Sequence, residues 1–297
     1  MNSQTLTLTD GRQLGYTVEG TGTPVIYFHG TASSRLEIFL LKHLTKTRKI
    51  RLIGIDRPGY GLSTFKERTK LSDFAPDVNA IADHLNLDKF TILSWSGGGP
   101  FALSYTALHN QRVIHTITVG CPSLPFDIAT AHNNNPLAKI AMKNPYLAKF
   151  ALKQLRKTVL RANRDIKGYL ESRKGKNMLN EWPKPDSNFF GNPTWLKTIY
   201  AAMAEGLRQN NISIKTIYQE HRLFAKPWIE PVDQIPHDKV IIWQGGLDRT
   251  CPPTNALKLA NTVKGARLEF FPYEGHCVMF TKSEKLLEYL LGEKRQQ

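Results

Sequence analysis

Cysteine is scarce in this chain of 297 residues, and so are acidic residues and long apolar runs. The three cysteines, Cys121, Cys251 and Cys277, are odd in number and widely spaced. That spacing argues against a disulfide framework or a zinc site and suits a reducing, cytoplasmic setting. No stretch approaches the ~18 to 20 uninterrupted apolar residues of a membrane span, so stable membrane insertion is not expected. The N-terminus lacks a basic stretch followed by an apolar run and a small-residue cleavage site, so no secretory signal is expected. No internal repeat is visible, and Asn133–Asn135 is the one low-complexity patch. The deficit of acids, 25 against 40 Lys and Arg, leaves a net charge of +15. Residues 121–236 hold 18 of the basic residues and nine of the acidic ones. A basic chain attracts anions, but no nucleic-acid-binding motif accompanies the charge, and no nucleic-acid partner is expected.

What is present is a chain with 41% hydrophobic residues, enough at this length to bury a substantial core. Residues 5–9 and 13–18 alternate around Asp10-Gly11, the pattern of an antiparallel hairpin. Continuous apolar runs follow at 24–28, 51–55, 90–93 and 113–119, as expected of buried parallel strands. Helical patterns at 36–47, 74–85 and 99–109 separate them. The alternation stops near Cys121-Pro122 and resumes with a run at 240–243, a helix at 254–263, a strand at 267–271 and a helix at 282–291. Alternating strands and helices predict a parallel sheet covered on both faces. The stretch between, about 123–235, is helix-rich and punctuated by proline. Within it, Leu147, Phe150, Ala151, Leu155 and Val159 recur at helical spacing across Pro145–Arg161, with Lys149, Lys153, Arg156 and Lys157 mostly elsewhere on its surface. They read as an apolar stripe packed on the domain beneath, with a helix lying on a membrane surface as the lesser alternative.

The strongest local signal is Leu93-Ser-Trp-Ser-Gly-Gly-Gly-Pro100. A buried strand runs into a small-residue turn with a helix behind it. A nucleophile on such a turn needs small residues two positions to either side, which the G-x-S-x-G elbow expresses. Here Ser94 and Gly98 flank Ser96. Glycine-rich strand–helix turns also bind phosphates, but a Walker loop needs Lys followed by Ser or Thr, and a Rossmann turn needs an acid about 20 residues on. Neither is found. A serine hydroxyl needs a base to take its proton. His276, in Tyr273-Glu-Gly-His-Cys277, follows the last strand at the same sheet edge as Ser96. An imidazole base needs a carboxylate to fix its tautomer. Asp248, in Gln244-Gly-Gly-Leu-Asp-Arg249, emerges at that edge too. Asp127 is the weaker alternative, and Asp56-Arg-Pro-Gly-Tyr-Gly61 reads as a rigid turn. Acyl transfer also needs two backbone N–H donors for the oxyanion. Gly97 and Thr31, the latter in the loop after strand 24–28, are the candidates; His29 reads as a packing residue.

His29-Gly-Thr31, Asp56–Ser63, Trp95-Ser-Gly-Gly-Gly-Pro100, Gly246-Leu-Asp-Arg249 and Gly275-His276 together resemble the α/β-hydrolase fold family, in that family's order. The resemblance implies an eight-stranded, mostly parallel sheet with helices on both faces and a helical cap inserted after the sixth strand. Residues 1–122 and 236–297 would form the core and 123–235 the cap. It further implies an acyl-enzyme on Ser96, with no metal or organic cofactor, acting on a small-molecule substrate such as a carboxylic ester. Dehalogenases and epoxide hydrolases of the family use Asp as nucleophile, so Ser96 argues against both. Prolyl aminopeptidases are possible relatives, but their elbow differs from Trp95-Ser-Gly-Gly-Gly. A lyase or perhydrolase on the same triad, or a ligand receptor on the same fold, stays open. Cys251 and Cys277, beside the acid and base, read as packing residues.

Overall fold

The computed structural model describes residues 3–47, 49–126 and 144–292. Eight strands form one sheet in the order β1-β2-β4-β3-β5-β6-β7-β8. They are β1 (Ser3–Thr7), β2 (Gln13–Gly20), β3 (Thr23–Phe28), β4 (Ile50–Ile55), β5 (Phe90–Trp95), β6 (Val113–Val119), β7 (Val240–Gly245) and β8 (Arg267–Phe271). β1 and β2 pair antiparallel, β2 joins β4 antiparallel, and the rest of the sheet is parallel. The eight-stranded α/β-hydrolase sheet expected from the sequence is therefore present.

Side chains alternate along each strand, so successive residues enter different cores. Val25, Tyr27, Leu93, Trp95, Ile117 and Val119 point to one face. Ile26, Phe28, Ile53, Ile55, Phe90 and Ile92 point to the other. The second face is covered by α1 (Ala75–His84) and α2 (Gly99–His109), through Val78, Ile81, Phe101 and Tyr105. The first is covered by Arg35–Thr47, which winds as 3-10 turns, and by the C-terminal helices.

Among the described residues, six helices lie between β6 and β7: α3 (Pro145–Arg164), α4 (Ile166–Glu171), α5 (Arg173–Glu181), α6 (Lys184–Gly191), α7 (Pro193–Gly206) and α8 (Asn211–Phe224). After β7 come α9 (Pro253–Thr262), α10 (Val278–Thr281) and α11 (Ser283–Leu290). The stripe expected on α3 needs correction. Of its five residues only Val159 is buried. The inward face is Ala148, Leu152, Val159 and Ala162. Two alanines on that face let α3 lie close against α7 and α8, where Leu196, Ile199 and Ile214 receive it. Leu147 and Phe150 are turned outward as a result.

Candidate active site

Parallel register brings the relevant loops together. Phe28 pairs with Ser94, Trp95 with Val119, Val119 with Trp243, and Gly245 with Phe271. The chain therefore leaves β3, β5, β7 and β8 at one sheet edge, carrying Thr31, Ser96, Asp248 and His276 respectively. Ligand sites of open α/β sheets form at that edge.

Ser96 follows β5 directly, with φ at +52°. A side-chain-bearing residue held in the left-handed region is strained and persists only where its surroundings enforce it. They do so here. A single 3-10 turn, Ser96–Gly98, leads into α2. A Cβ at Gly98 would lie 2.2 Å from the Phe28 carbonyl oxygen, and one at Gly97 would lie 2.1 Å from Thr31 Oγ1. Only glycines let the turn pass so close to the β3 loop. The second contact also sets Thr31 N 3.3 Å from that Cβ position, so the residues of the two candidate oxyanion donors are neighbours. Ser94, the other candidate hydroxyl in the motif, is buried and donates to the Ile117 carbonyl at 3.4 Å.

His276 Nδ1 and Asp248 Oδ2 are 2.8 Å apart, both buried. The other carboxylate oxygen of Asp248 accepts from the backbone N–H groups of Thr250 and Cys251, each at 2.8 Å. Those two bonds fix the orientation of the carboxylate toward the imidazole. Burial alone depresses the His276 pKa, but the charge and hydrogen bond of Asp248, with Asp186 and Glu37 beyond, raise it above the ordinary imidazole value. The pair stands beside the elbow. Trp95, the residue before Ser96, donates its indole N–H to the His276 carbonyl at 2.9 Å, and the two rings lie 5.2 Å apart. Gly120, at the end of β6, runs underneath: a Cβ there would be 2.8 Å from His276 Nδ1.

His29, Asp56, Cys251 and Cys277, which the sequence reads as structural, are all buried near this edge. His29 is fully buried, with Nδ1 2.7 Å from the Gly30 carbonyl and Nε2 accepting from the Arg57 N–H. Asp56 holds its turn by accepting from Arg35 N, Arg35 Nη1 and Leu62 N. Cys251 and Cys277 are buried, and burial with neighbouring carboxylates pushes both thiols well above their usual pKa. Neither is poised to react, since the thiolate is the nucleophile. Asp127, the alternative acid, lies outside the described residues.

Three participants carry no local sequence signal. Asp186, in α6, is buried and accepts from the His276 N–H at 2.9 Å and the Cys277 N–H at 2.8 Å. Glu37 accepts from the Gly30 N–H and the Tyr27 hydroxyl behind the Thr31 loop. Glu220, in α8, pairs with Arg57 at 2.8 Å, while Arg57 donates to the His29 and Gly30 carbonyls. Gly120 did carry a signal, a glycine closing a buried strand at the ligand edge.

With a serine on a positive-φ strand–helix turn and a His–Asp pair at one strand edge, the fold and site are those of an α/β-hydrolase. The chain belongs to that family: the model of the alpha/beta hydrolase fold matches residues 23–283. Among individual proteins, it is similar to a probable proline iminopeptidase of Leptolyngbya boryana, 24% identical over 87% of this chain and 82% of that protein. It is also similar to the uncharacterized hydrolase YcgS of Bacillus subtilis, 30% identical over 37% of this chain. That match spans only 38% of the relative's length. Among solved structures, an esterase of Exiguobacterium antarcticum covers 99% of both chains at 23% identity and a TM-score of 0.63. A thermophilic esterase of Thermogutta terrifontis covers 99% of this chain and 98% of its own at 18% identity and a TM-score of 0.66. At these identities the structural likeness speaks for the fold alone.

Proposed function

We propose that this α/β-hydrolase is a serine hydrolase that works through an acyl-enzyme, with carboxylic esters of small to medium size as substrates. Ser96 Oγ attacks the ester carbonyl while His276 Nε2 takes its proton. Asp248 holds the proton on Nδ1 and stabilises the imidazolium. The N–H groups of Gly97 and Thr31 receive the oxyanion. His276 returns the proton to the departing alcohol, then activates water to release the acid. No step requires a metal or organic cofactor. Residues 123–235 serve as the cap over the substrate, and 1–122 with 236–297 as the core.

The observation that carries this reading is the buried His276–Asp248 pair, 2.8 Å apart, locked through Trp95 to a positive-φ serine turn. Esterases among the similar structures favour an ester over other acyl substrates. The extended match to a probable proline iminopeptidase keeps an amide substrate as the second reading. Ser96→Ala is expected to abolish hydrolysis of p-nitrophenyl butyrate, and a fluorophosphonate probe to label Ser96 in the parent. Retention of most activity, or label on another residue, rejects the assignment. Faster turnover of proline p-nitroanilide than of any p-nitrophenyl ester selects the amide reading.

A further inference from the structure

The outer face of α3 joins exposed apolar side chains to a row of cations. Its row of Tyr146, Phe150, Lys153, Lys157, Arg161 and Arg164, spaced 4, 3, 4, 4 and 3, follows one side of a helix and is exposed throughout. This side lies opposite the buried Ala148, Leu152, Val159 and Ala162. Tyr146 is 83% exposed and Phe150 63%, with Leu147 beside them at 45%. Three large apolar side chains thus stand in water at one end of a helix that carries six cations and no carboxylate. None of the four cations in the row pairs with a carboxylate among the described residues. Like charges three and four positions apart destabilise a helix, and exposed aromatic rings are costly in water. Both costs persist here without a partner among the described residues.

The same charge continues around the helix. A cavity of about 760 Å³ between α3 and α8 is lined by Lys149, Lys153, Lys215, Arg222 and Lys226, with Glu67 as the one acid among the described residues that line it. Glu67 is already 3.5 Å from Lys215.

We propose that this face docks the protein peripherally on an anionic phospholipid surface. Tyr146, Leu147 and Phe150 enter the interfacial layer, where amphipathic rings are favoured. Lys153, Lys157, Arg161 and Arg164 meet the negative headgroups, each adding to attraction near the surface. The adjoining cavity receives headgroup phosphates. A second copy of the chain does not fit the face, because it would set two rows of four cations against each other. A spanning arrangement is not implied, as no helix among the described residues is long and apolar enough to cross a membrane. The proposal does not depend on the serine-hydrolase reading, since it concerns binding and not turnover.

Sedimentation with vesicles tests it, using phosphatidylcholine alone and a three-to-one mixture with phosphatidylglycerol. The full-length protein is expected to pellet with the mixed vesicles, to stay in solution with phosphatidylcholine, and to be released by high salt. Tyr146→Glu with Phe150→Glu removes the apolar anchor. Lys153→Glu, Lys157→Glu, Arg161→Glu and Arg164→Glu together reverse the charge. Each set is expected to lower the partition coefficient about tenfold or more. All six positions are exposed, so circular dichroism and the thermal midpoint should match the parent. The proposal is overturned if the parent does not pellet with mixed vesicles, or if both variant sets pellet like the parent. It is equally overturned if the face holds a dimer that the variants dissociate, or if inorganic phosphate saturates the cavity while vesicles leave the protein in solution.

Discussion

A base must be neutral to accept a proton, so in the proposed mechanism the environment of His276 would set the pH at which Ser96 is activated. The imidazole is buried, which works against its charged form, yet Asp248 outweighs burial and holds its pKa above the ordinary value. As pH falls through that raised pKa the base is lost. The acid limb of kcat/KM on p-nitrophenyl butyrate is therefore expected to lie above about 6.5, the unperturbed imidazole value. Asp248→Asn keeps the shape and removes the charge. Burial is then opposed by Asp186 and Glu37 without the larger pull of Asp248, so the limb should move to lower pH while turnover falls on the order of a thousandfold or more through the wrong tautomer. A pH–rate profile of both proteins checks this, and an unmoved limb with intact turnover transfers the acid's role to another carboxylate. The strained φ of Ser96 belongs to the same scale. It is sustained by two glycines whose every added atom would strike the β3 loop.

Among elements, the short helix α6 does the work that the sequence hides. Asp186 reaches the backbone of the loop after β8 and accepts both the His276 and Cys277 N–H groups. Gly275 permits the approach, since a Cβ there would fall 2.1 Å from the Asp186 carboxylate. Asp186→Asn leaves one of these buried N–H groups facing an amide NH2. That should cost roughly 1–3 kcal/mol of stability, read as a lowered urea midpoint. Turnover should fall as the imidazole loses its fixed position, with KM changed less than kcat. An unchanged midpoint and kcat would show that the loop holds itself. The strands and the elbow were legible in the sequence because local chemistry determines them. A buried parallel strand must be an apolar run, and a nucleophile turn must have small flanks. Asp186 was not legible, because an aspartate after Pro185 looks like any residue opening a helix and its partner lies 90 positions away. The buried side of α3 was misread for the same reason. Both sides of that helix hold apolar residues at helical spacing, and the side that carries two alanines beside Leu152 and Val159 is the one turned toward α7 and α8.

At the scale of the molecule, carboxylates on three of the inserted helices fasten them to the sheet edge. Asp186 holds the β8 loop, and Glu205 takes a hydrogen bond of 2.9 Å from Arg35, which also pairs with Asp56. Glu220 is the most deeply committed. Its carboxylate is wholly buried and accepts from Arg57 and from the Tyr60 hydroxyl, with Arg68 Nη2 3.1 Å away. Removing one partner of a buried ion pair leaves an unsolvated charge and typically costs ~3–5 kcal/mol. Glu220→Gln leaves two guanidinium groups without their counter-charge, so a loss of about that size is expected in urea unfolding. The pH dependence has a definite sign. Burial by itself would raise the Glu220 pKa, but Arg57 and Arg68 bring it down to about 2. A depressed carboxylate contributes stability that is complete above its unfolded pKa of about 4.3. The contribution is lost as pH falls from there through about 2. The gap in stability between the parent and Glu220→Gln should therefore be widest near neutrality and narrow steadily below about pH 4. A gap that stays constant across that range would mean the carboxylate's charge is not what joins α8 to the turn after β4.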